Sequence, residues 1–433
     1  MRTGLRLLAC ATVIGIVLAG CSSKGALATG SDPNGVARSV NVSHDYSAFY
    51  RVASPLPAGA PGSLIRGQVV TGVPGVPAGA TAWRILYHSR SIYNRDMAVS
   101  GYVIVPSGPV PPGGRTVVSW THGTTGITPE CNPSHFDTGG PNRPYLVPDL
   151  AAFLRAGYIV AATDYPDPGG LQPYLLGESE GRSVLDATRA SHHLPAVHAS
   201  ATTLIYGHSQ GGHAALFAGE IAPTYAPDLK IAGVVAAAPA TNLSLILSLV
   251  AGPAGQGALA FEMYAAWSWS HTYNDLPAAD FFTPAASAQM GAITSGCLTH
   301  TVSVIAKDHL TVSQVFVPSA ATNPVVVAHA RMNDPGRVHT DVPMLVVQGT
   351  ADTTVPPALT DLYVQKMACP IGDKMDYLKF RGVTHGQIPT AAAPTILAWM
   401  SGRLHPGSGS PVTCGLPGDA RTVTPGSTVT PGH

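Results

Sequence analysis

Thr202-Thr203-Leu204-Ile205-Tyr206-Gly207-His208-Ser209-Gln210-Gly211-Gly212-His213 opens as a β-branched, apolar run and continues into Ala214-Ala215-Leu216-Phe217-Ala218. The first half predicts a buried strand and the second a helix. Between them stands Gly-His-Ser-Gln-Gly, a G-x-S-x-G pattern. A strand that turns abruptly into a helix crowds the residues two before and two after the turn. Glycine at 207 and 211 removes the Cβ atoms that would collide there. Ser209 is then held in a strained conformation with its hydroxyl raised above the sheet. The helix behind it offers free N–H groups and a positive dipole end to a developing oxyanion.

The flanking pattern alternates strands and helices. Trp83–His88 and Ala98–Val105 read as the first strands, antiparallel to each other. Arg115–Trp120, Tyr158–Thr163, Ile231–Ala238 and Val342–Gly349 read as buried strands, and Met375–Phe380 as the last one. Leu150–Ala156, Ser179–His192, Leu359–Met367 and Ala392–Arg403 read as helices. The fold class expected is α/β, with a mostly parallel central sheet and helices on both faces. From Asn242 this rhythm stops. An apolar run at Leu243–Val250 ends at Gly252-Pro253, too short to span a membrane. Aromatic residues follow, and residues 242–337 read as a mainly helical cap inserted over the site. The organisation expected is a signal peptide at 1–20, a flexible tether at 21–45, core at 46–241, the cap, core again at 338–405, and a tail at 406–433, disordered after Cys414.

Composition limits the function. The 433 residues carry 24 Lys+Arg and 24 Asp+Glu, so there is no net charge and no basic field for nucleic acid. Arg2 and Arg6 precede the apolar stretch Leu7–Leu18, followed by Leu18-Ala19-Gly20-Cys21. This resembles a bacterial lipobox, which implies export and a lipid anchor on Cys21 at the outer face of a membrane. Cys131, Cys297, Cys369 and Cys414 remain beyond it, an even number in an exported chain. Two disulfides are expected, with three pairings open. Cys369–Cys414 with Cys131–Cys297 is favoured, because the first would pin the C-terminal segment to the core. None of the four has metal-ligand spacing, and no cofactor is expected.

A serine hydroxyl needs a general base, and the base needs an orienting acid. Asp352, in Gly349-Thr350-Ala351-Asp352, follows a buried strand. His385, in Val383-Thr384-His385-Gly386, follows the last strand. The order Ser209, Asp352, His385 is that of α/β-hydrolases. Asp164, past an earlier strand, is a rival acid. His208 and His213 flank the serine and are expected in packing roles. The oxyanion needs two preorganised N–H donors. The backbone of Gln210 is one, and the loop His122-Gly123-Thr124 supplies the other through Thr124.

Trp120–Gly126, Thr163-Asp164-Tyr165, Tyr206–Gly212, Gly349–Pro356 and Thr384-His385-Gly386 together resemble the secretory lipase family, whose best-known members are fungal lipases of the lipase A type. The nearest likeness is to exported actinobacterial members, over about Tyr46 to Cys414. The resemblance implies an α/β-hydrolase core, a mostly helical cap and hydrolysis of lipid or small carboxylic esters. By position it implies Ser209 as nucleophile, Asp352 as acid, His385 as base, and Gln210 and Thr124 as oxyanion donors. Acyl transfer through the same acyl-enzyme, and a non-catalytic envelope-binding protein on the same scaffold, are the alternatives.

Overall fold

Residues 39–41, 47–136, 145–249, 256–405, 414 and 421–424 are described by the computed structural model of the chain. The segment expected as a signal peptide, Cys21 and most of the expected tether lie outside these residues. Within them, eleven strands form one sheet. They are β1 (Ser39–Asn41), β2 (Leu64–Thr71), β3 (Thr81–Arg90), β4 (Asp96–Val105), β5 (Arg115–Thr121), β6 (Ile159–Thr163), β7 (Ala199–His208), β8 (Lys230–Ala237), β9 (Met344–Gly349), β10 (Met375–Phe380) and β11 (Arg421–Val423). Their spatial order is β1-β2-β3-β4-β6-β5-β7-β8-β9-β10-β11. The pairs β2/β3, β3/β4 and β4/β6 are antiparallel. The others, from β5/β6 through β10/β11 and at β1/β2, are parallel.

The central strands are apolar throughout because both sheet faces are covered. Side chains alternate between two cores, as the strand period of two requires. Leu204 and Tyr206 of β7, Val235 and Ala237 of β8, and Leu345 and Val347 of β9 join one core. That core is closed by Phe153 from helix Leu150–Arg155 and by Ile396, Trp399 and Met400 from helix Ala393–Leu404. Ile205, Val234, Ala236 and Val346 point the other way. There they meet Leu185 of helix Gly177–His192 and Ala214, Ala215 and Ala218 of helix Gln210–Tyr225.

Between β8 and β9 the described residues are helical. The main helices are Leu243–Leu249, Gln256–Thr272, Leu298–Lys307 and Pro324–Met332. Tyr264, Trp269, Phe281, Phe282 and Ile305 build a separate core for this layer, which also takes in Ile127, Tyr174 and Leu176 from loops of the sheet domain. Polar bonds reinforce the join. Trp269 Nε1–H donates to the Tyr174 carbonyl at 2.9 Å, and Ser268 Oγ–H to the Gln172 carbonyl at 2.7 Å. The Cys131–Cys297 disulfide crosses the same boundary. A second disulfide links Cys369 and Cys414.

Three expectations about the edges need correction. The tether expected at 21–45 contains β1, paired in parallel with β2. Met375–Phe380 is not the final strand, and the tail beyond Cys414 is not wholly irregular, because β11 pairs with β10. Both added strands are three residues long. An edge strand offers a row of free backbone N–H and C=O groups, so pairing needs no long apolar run. The Cys369–Cys414 bridge shortens the path to the β10 edge, and Val423 is buried there. The helix expected at Leu359–Met367 changes character midway, with an α-helical part at Pro357–Leu362 and a π-helical part at Tyr363–Ala368.

Candidate active site

The turn from β7 into the helix Gln210–Tyr225 has very little room. A Cβ on Gly207 would sit 1.9 Å from the Gly211 carbonyl oxygen, and one on Gly211 would sit 1.9 Å from the Thr121 carbonyl oxygen. Ser209 occupies φ 59°, ψ −119°, a region that costs a non-glycine residue of order 1–3 kcal/mol. The surroundings hold it there. Its N–H donates to the Ala237 carbonyl at 2.9 Å, and its carbonyl accepts from His213 N–H at 3.0 Å and Ala240 N–H at 3.2 Å. Thr121 Oγ1–H donates across to the Gly211 carbonyl at 2.7 Å.

The loops after β7, β9 and β10 meet above this turn. His385 Nε2 lies 2.9 Å from Ser209 Oγ, and His385 Nδ1 lies 2.8 Å from Asp352 Oδ2. Asp352 is buried, and each of its oxygens is committed. Oδ1 accepts from the N–H groups of Thr354 and Val355, both at 2.9 Å. Oδ2 accepts from Gln348 Nε2–H at 2.9 Å as well as from His385. An acceptor-only carboxylate satisfied this way fixes the imidazole with its proton on Nδ1. Nε2 is then free to accept from Ser209 Oγ–H.

The oxyanion candidates lie beside the serine. Thr124 follows β5, which neighbours β7 in the sheet, and Gln210 is the first residue of the helix. Neither backbone N–H has an acceptor among the described residues. Thr124 Oγ1 shares a 2.6 Å hydrogen bond with the hydroxyl of Tyr174, a sheet-domain residue that packs into the core of the helical layer. His122 is buried without a partner on Nε2, and burial lowers its pKa to about 4, so it is neutral.

Asp164, the rival acid, is engaged elsewhere. It accepts from Ser100 Oγ–H at 2.6 Å, from Ser134 N–H at 2.9 Å and from the Ser134 hydroxyl. The two flanking histidines do more than pack. His208 Nε2–H donates to the His385 carbonyl at 3.0 Å, and its Nδ1 accepts from the Tyr145 hydroxyl at 3.0 Å. Burial, with the neighbouring His385 adding to it, lowers the His208 pKa to about 3, which keeps that ring neutral. His213 lies 3.0 Å from Glu180 Oε2 through Nδ1, and its Nε2–H donates to the Asn333 carbonyl at 2.8 Å. Glu180 also accepts from Gln210 Nε2–H at 2.7 Å, so one buried network joins the elbow to the end of the helical layer.

A cavity of about 70 Å³ opens onto Ser209. That is room for roughly five water-sized groups. Its walls come from Tyr174 and Leu175, from Leu243 and Ile246, from Thr354 and Val355, and from one face of helix Gln256–Thr272. Residues Ala258, Phe261, Glu262, Ala265 and Trp269 on that helix recur at helical spacing. Among the described residues no cluster of three His, Cys, Asp or Glu side chains could hold a metal ion. No helix among them is long and apolar enough to cross a membrane.

The sequence profile of the family described as "Secretory lipase" matches residues 147–413. The chain belongs to the secretory lipase family. Over 192 residues it is 27% identical to Lipase A of Moesziomyces aphidis, covering 43% of this chain and 41% of that protein. Over 178 residues it is 31% identical to "Probable inactive lipase MT1628" of Mycobacterium tuberculosis, 39% of each chain. These matches thus span about two-fifths of the length of each relative. In three dimensions the chain is similar to Candida antarctica lipase A in its closed state. The TM-score is 0.73 at 19% identity, covering 89% of this chain and 90% of that one. The fold is that of the α/β-hydrolases, as the strand–helix alternation predicts.

Proposed function

We propose that this secretory lipase family member is an exported serine hydrolase of carboxylic esters, with Ser209 as nucleophile, His385 as general base and Asp352 as the acid that orients it. The observation that carries this reading is the unbroken Ser209–His385–Asp352 hydrogen-bond chain, at 2.9 and 2.8 Å, opening on an apolar cavity.

In the first half-reaction Ser209 Oγ attacks the ester carbonyl carbon while its proton passes to His385 Nε2. The carbonyl oxygen becomes an oxyanion that accepts from the N–H groups of Gln210 and Thr124. The tetrahedral intermediate collapses, the C–O bond to the alcohol breaks, and His385 returns the proton to the leaving alcohol. Water then attacks the acyl-enzyme with the same proton traffic, releasing the carboxylic acid and restoring Ser209. One relative carries an inactive designation. The hydrogen-bond chain here favours a catalyst over a scaffold kept only for binding. The lipobox-like Leu18-Ala19-Gly20-Cys21 supports a lipid anchor of the kind found on exported bacterial proteins, with the enzyme held on the outer face of a membrane.

The test is hydrolysis of p-nitrophenyl esters from acetyl to palmitoyl by the wild type and by Ser209→Ala. Serine-dependent turnover at any chain length supports the reading, and the length at which it peaks gives the acyl preference. Activity that survives unchanged in a folded Ser209→Ala protein overturns it.

A further inference from the structure

Glu262 is the only acidic residue of helix Gln256–Thr272. It stands on the face that lines the cavity in front of Ser209, between Phe261 and Ala265 and one turn from Ala258. Its side chain is buried, with 6% of the residue exposed. Its Oε2 has no hydrogen-bond partner among the described residues. The other buried acids around the serine are answered, Glu180 among them. Asp352 accepts four hydrogen bonds, and Asp164 three. A buried carboxyl oxygen without a partner costs free energy that an apolar residue at the same place would avoid. Glu262 lines the cavity, so a partner can reach it from there.

We propose that Glu262 is a specificity residue for the acyl chain: its carboxylic acid hydrogen-bonds an oxygen substituent, a hydroxyl or oxo group, on the chain of the ester that Ser209 attacks. This rests on the esterase reading of the Ser209 site. With no counter-charge facing it, burial pushes the carboxyl up to about 8, so at neutral pH it carries its proton and can donate as well as accept. Ser209 and Glu262 line the same cavity, so a substituent close to the ester carbonyl can reach the carboxyl. A plain alkyl chain displaces water from the carboxyl and gives nothing back. A hydroxyl or oxo group restores the lost bond. Leaving one buried polar group unpaired lowers turnover of the plain chain by about ten- to a hundredfold relative to the substituted one.

The experiment compares kcat/KM for p-nitrophenyl hexanoate, 3-hydroxyhexanoate and 5-oxohexanoate. Each ratio is corrected by the alkaline hydrolysis rates of the same esters. The proteins are wild type, Glu262→Gln and Glu262→Leu, with thermal midpoints recorded for all three. Glutamine keeps a donor and an acceptor at the same reach, so it retains the preference for one or both oxygenated esters. Leucine loses the preference and hydrolyses plain hexanoate faster than wild type does. An oxygenated-to-plain ratio that is the same in wild type and folded Glu262→Leu overturns the proposal and leaves the esterase reading intact. A wild type that turns over none of the three esters overturns the esterase reading first.

Discussion

Replacing Asp352 by asparagine tests the acid's assignment with almost no change of shape. The four bonds to the carboxylate allow two placements of the amide. With the amide oxygen at Oδ1, the bonds from Thr354 and Val355 N–H survive. The NH₂ group then points at two donors, Gln348 Nε2–H and His385 Nδ1–H. His385 regains a bond only by moving its proton to Nε2, where it can no longer accept from Ser209 Oγ–H. In the reverse placement the NH₂ group faces the two backbone N–H groups. Two buried donors then lose their acceptor, at about 1–3 kcal/mol each. The first placement is therefore favoured, and it carries the wrong tautomer. The expected loss in kcat is about 10³- to 10⁴-fold, a barrier increase of about 4–5.5 kcal/mol. KM should move by no more than about threefold, because Asp352 itself does not line the cavity while Thr354 and Val355 do. The assay is steady-state hydrolysis of a short p-nitrophenyl ester, with circular dichroism to establish the fold. A folded Asp352→Asn enzyme within tenfold of wild-type kcat would refute the assignment.

Two further predictions concern stability. Burial raises the Glu262 carboxyl from its ordinary 4.5 to about 8, so between those values the folded protein keeps a proton that the unfolded chain releases. Wild-type stability therefore falls as pH rises through that window, while Glu262→Gln does not share the loss. The gap should open from near zero at pH 4.5 to on the order of 3 kcal/mol at pH 7. Thermal midpoints of the two proteins at pH 5 and pH 8 check this, and a gap that does not change with pH counts against it. The Cys131–Cys297 bridge closes a separation of 166 residues, for which loop-closure entropy gives about 5 kcal/mol. It also ties the loop after Thr124 to the helical layer. The paired Cys131→Ala/Cys297→Ala variant should therefore lose both thermal midpoint and kcat. The Cys369→Ala/Cys414→Ala variant, remote from the serine, should lose midpoint alone, and equal kcat losses in the two would contradict the assigned geometry.

What was legible in the sequence follows from how local each constraint is. The elbow is local: two glycines, a strand before and a helix after are fixed by collisions across four residues. Its neighbours were legible as strands because both sheet faces are covered, which leaves unbroken apolar runs at 202–206, 234–238 and 344–347. β1 and β11 were not, because a three-residue edge strand is chosen by the backbone it meets. Glu262 was equally hidden. A lone acid in a helix ordinarily marks a solvent-facing position, and only the placement of this helix against the Ser209 cavity buries it. Gln348 reads as one more residue of β9, yet it bonds the carboxylate that orients His385. His208 was expected in packing and instead holds the His385 carbonyl.

The convergence of the site is a property of the sheet more than of any one loop. β5, β7, β8, β9 and β10 run parallel and side by side, so the loops leaving their C-terminal ends emerge along one edge. Thr124 follows β5, Ser209 follows β7, Asp352 follows β9 and His385 follows β10. The order of these residues in the chain therefore maps onto positions across the edge. The 143 positions separating Ser209 from Asp352 do not pull them apart, because the helical layer leaves after β8 and returns at β9, its adjacent partner. The same topology explains why that layer comes to wall the cavity. A segment that departs and re-enters beside the serine has nowhere to pack except over it. That placement puts the face of helix Gln256–Thr272 that carries Ala258, Phe261, Glu262, Ala265 and Trp269 on the cavity wall.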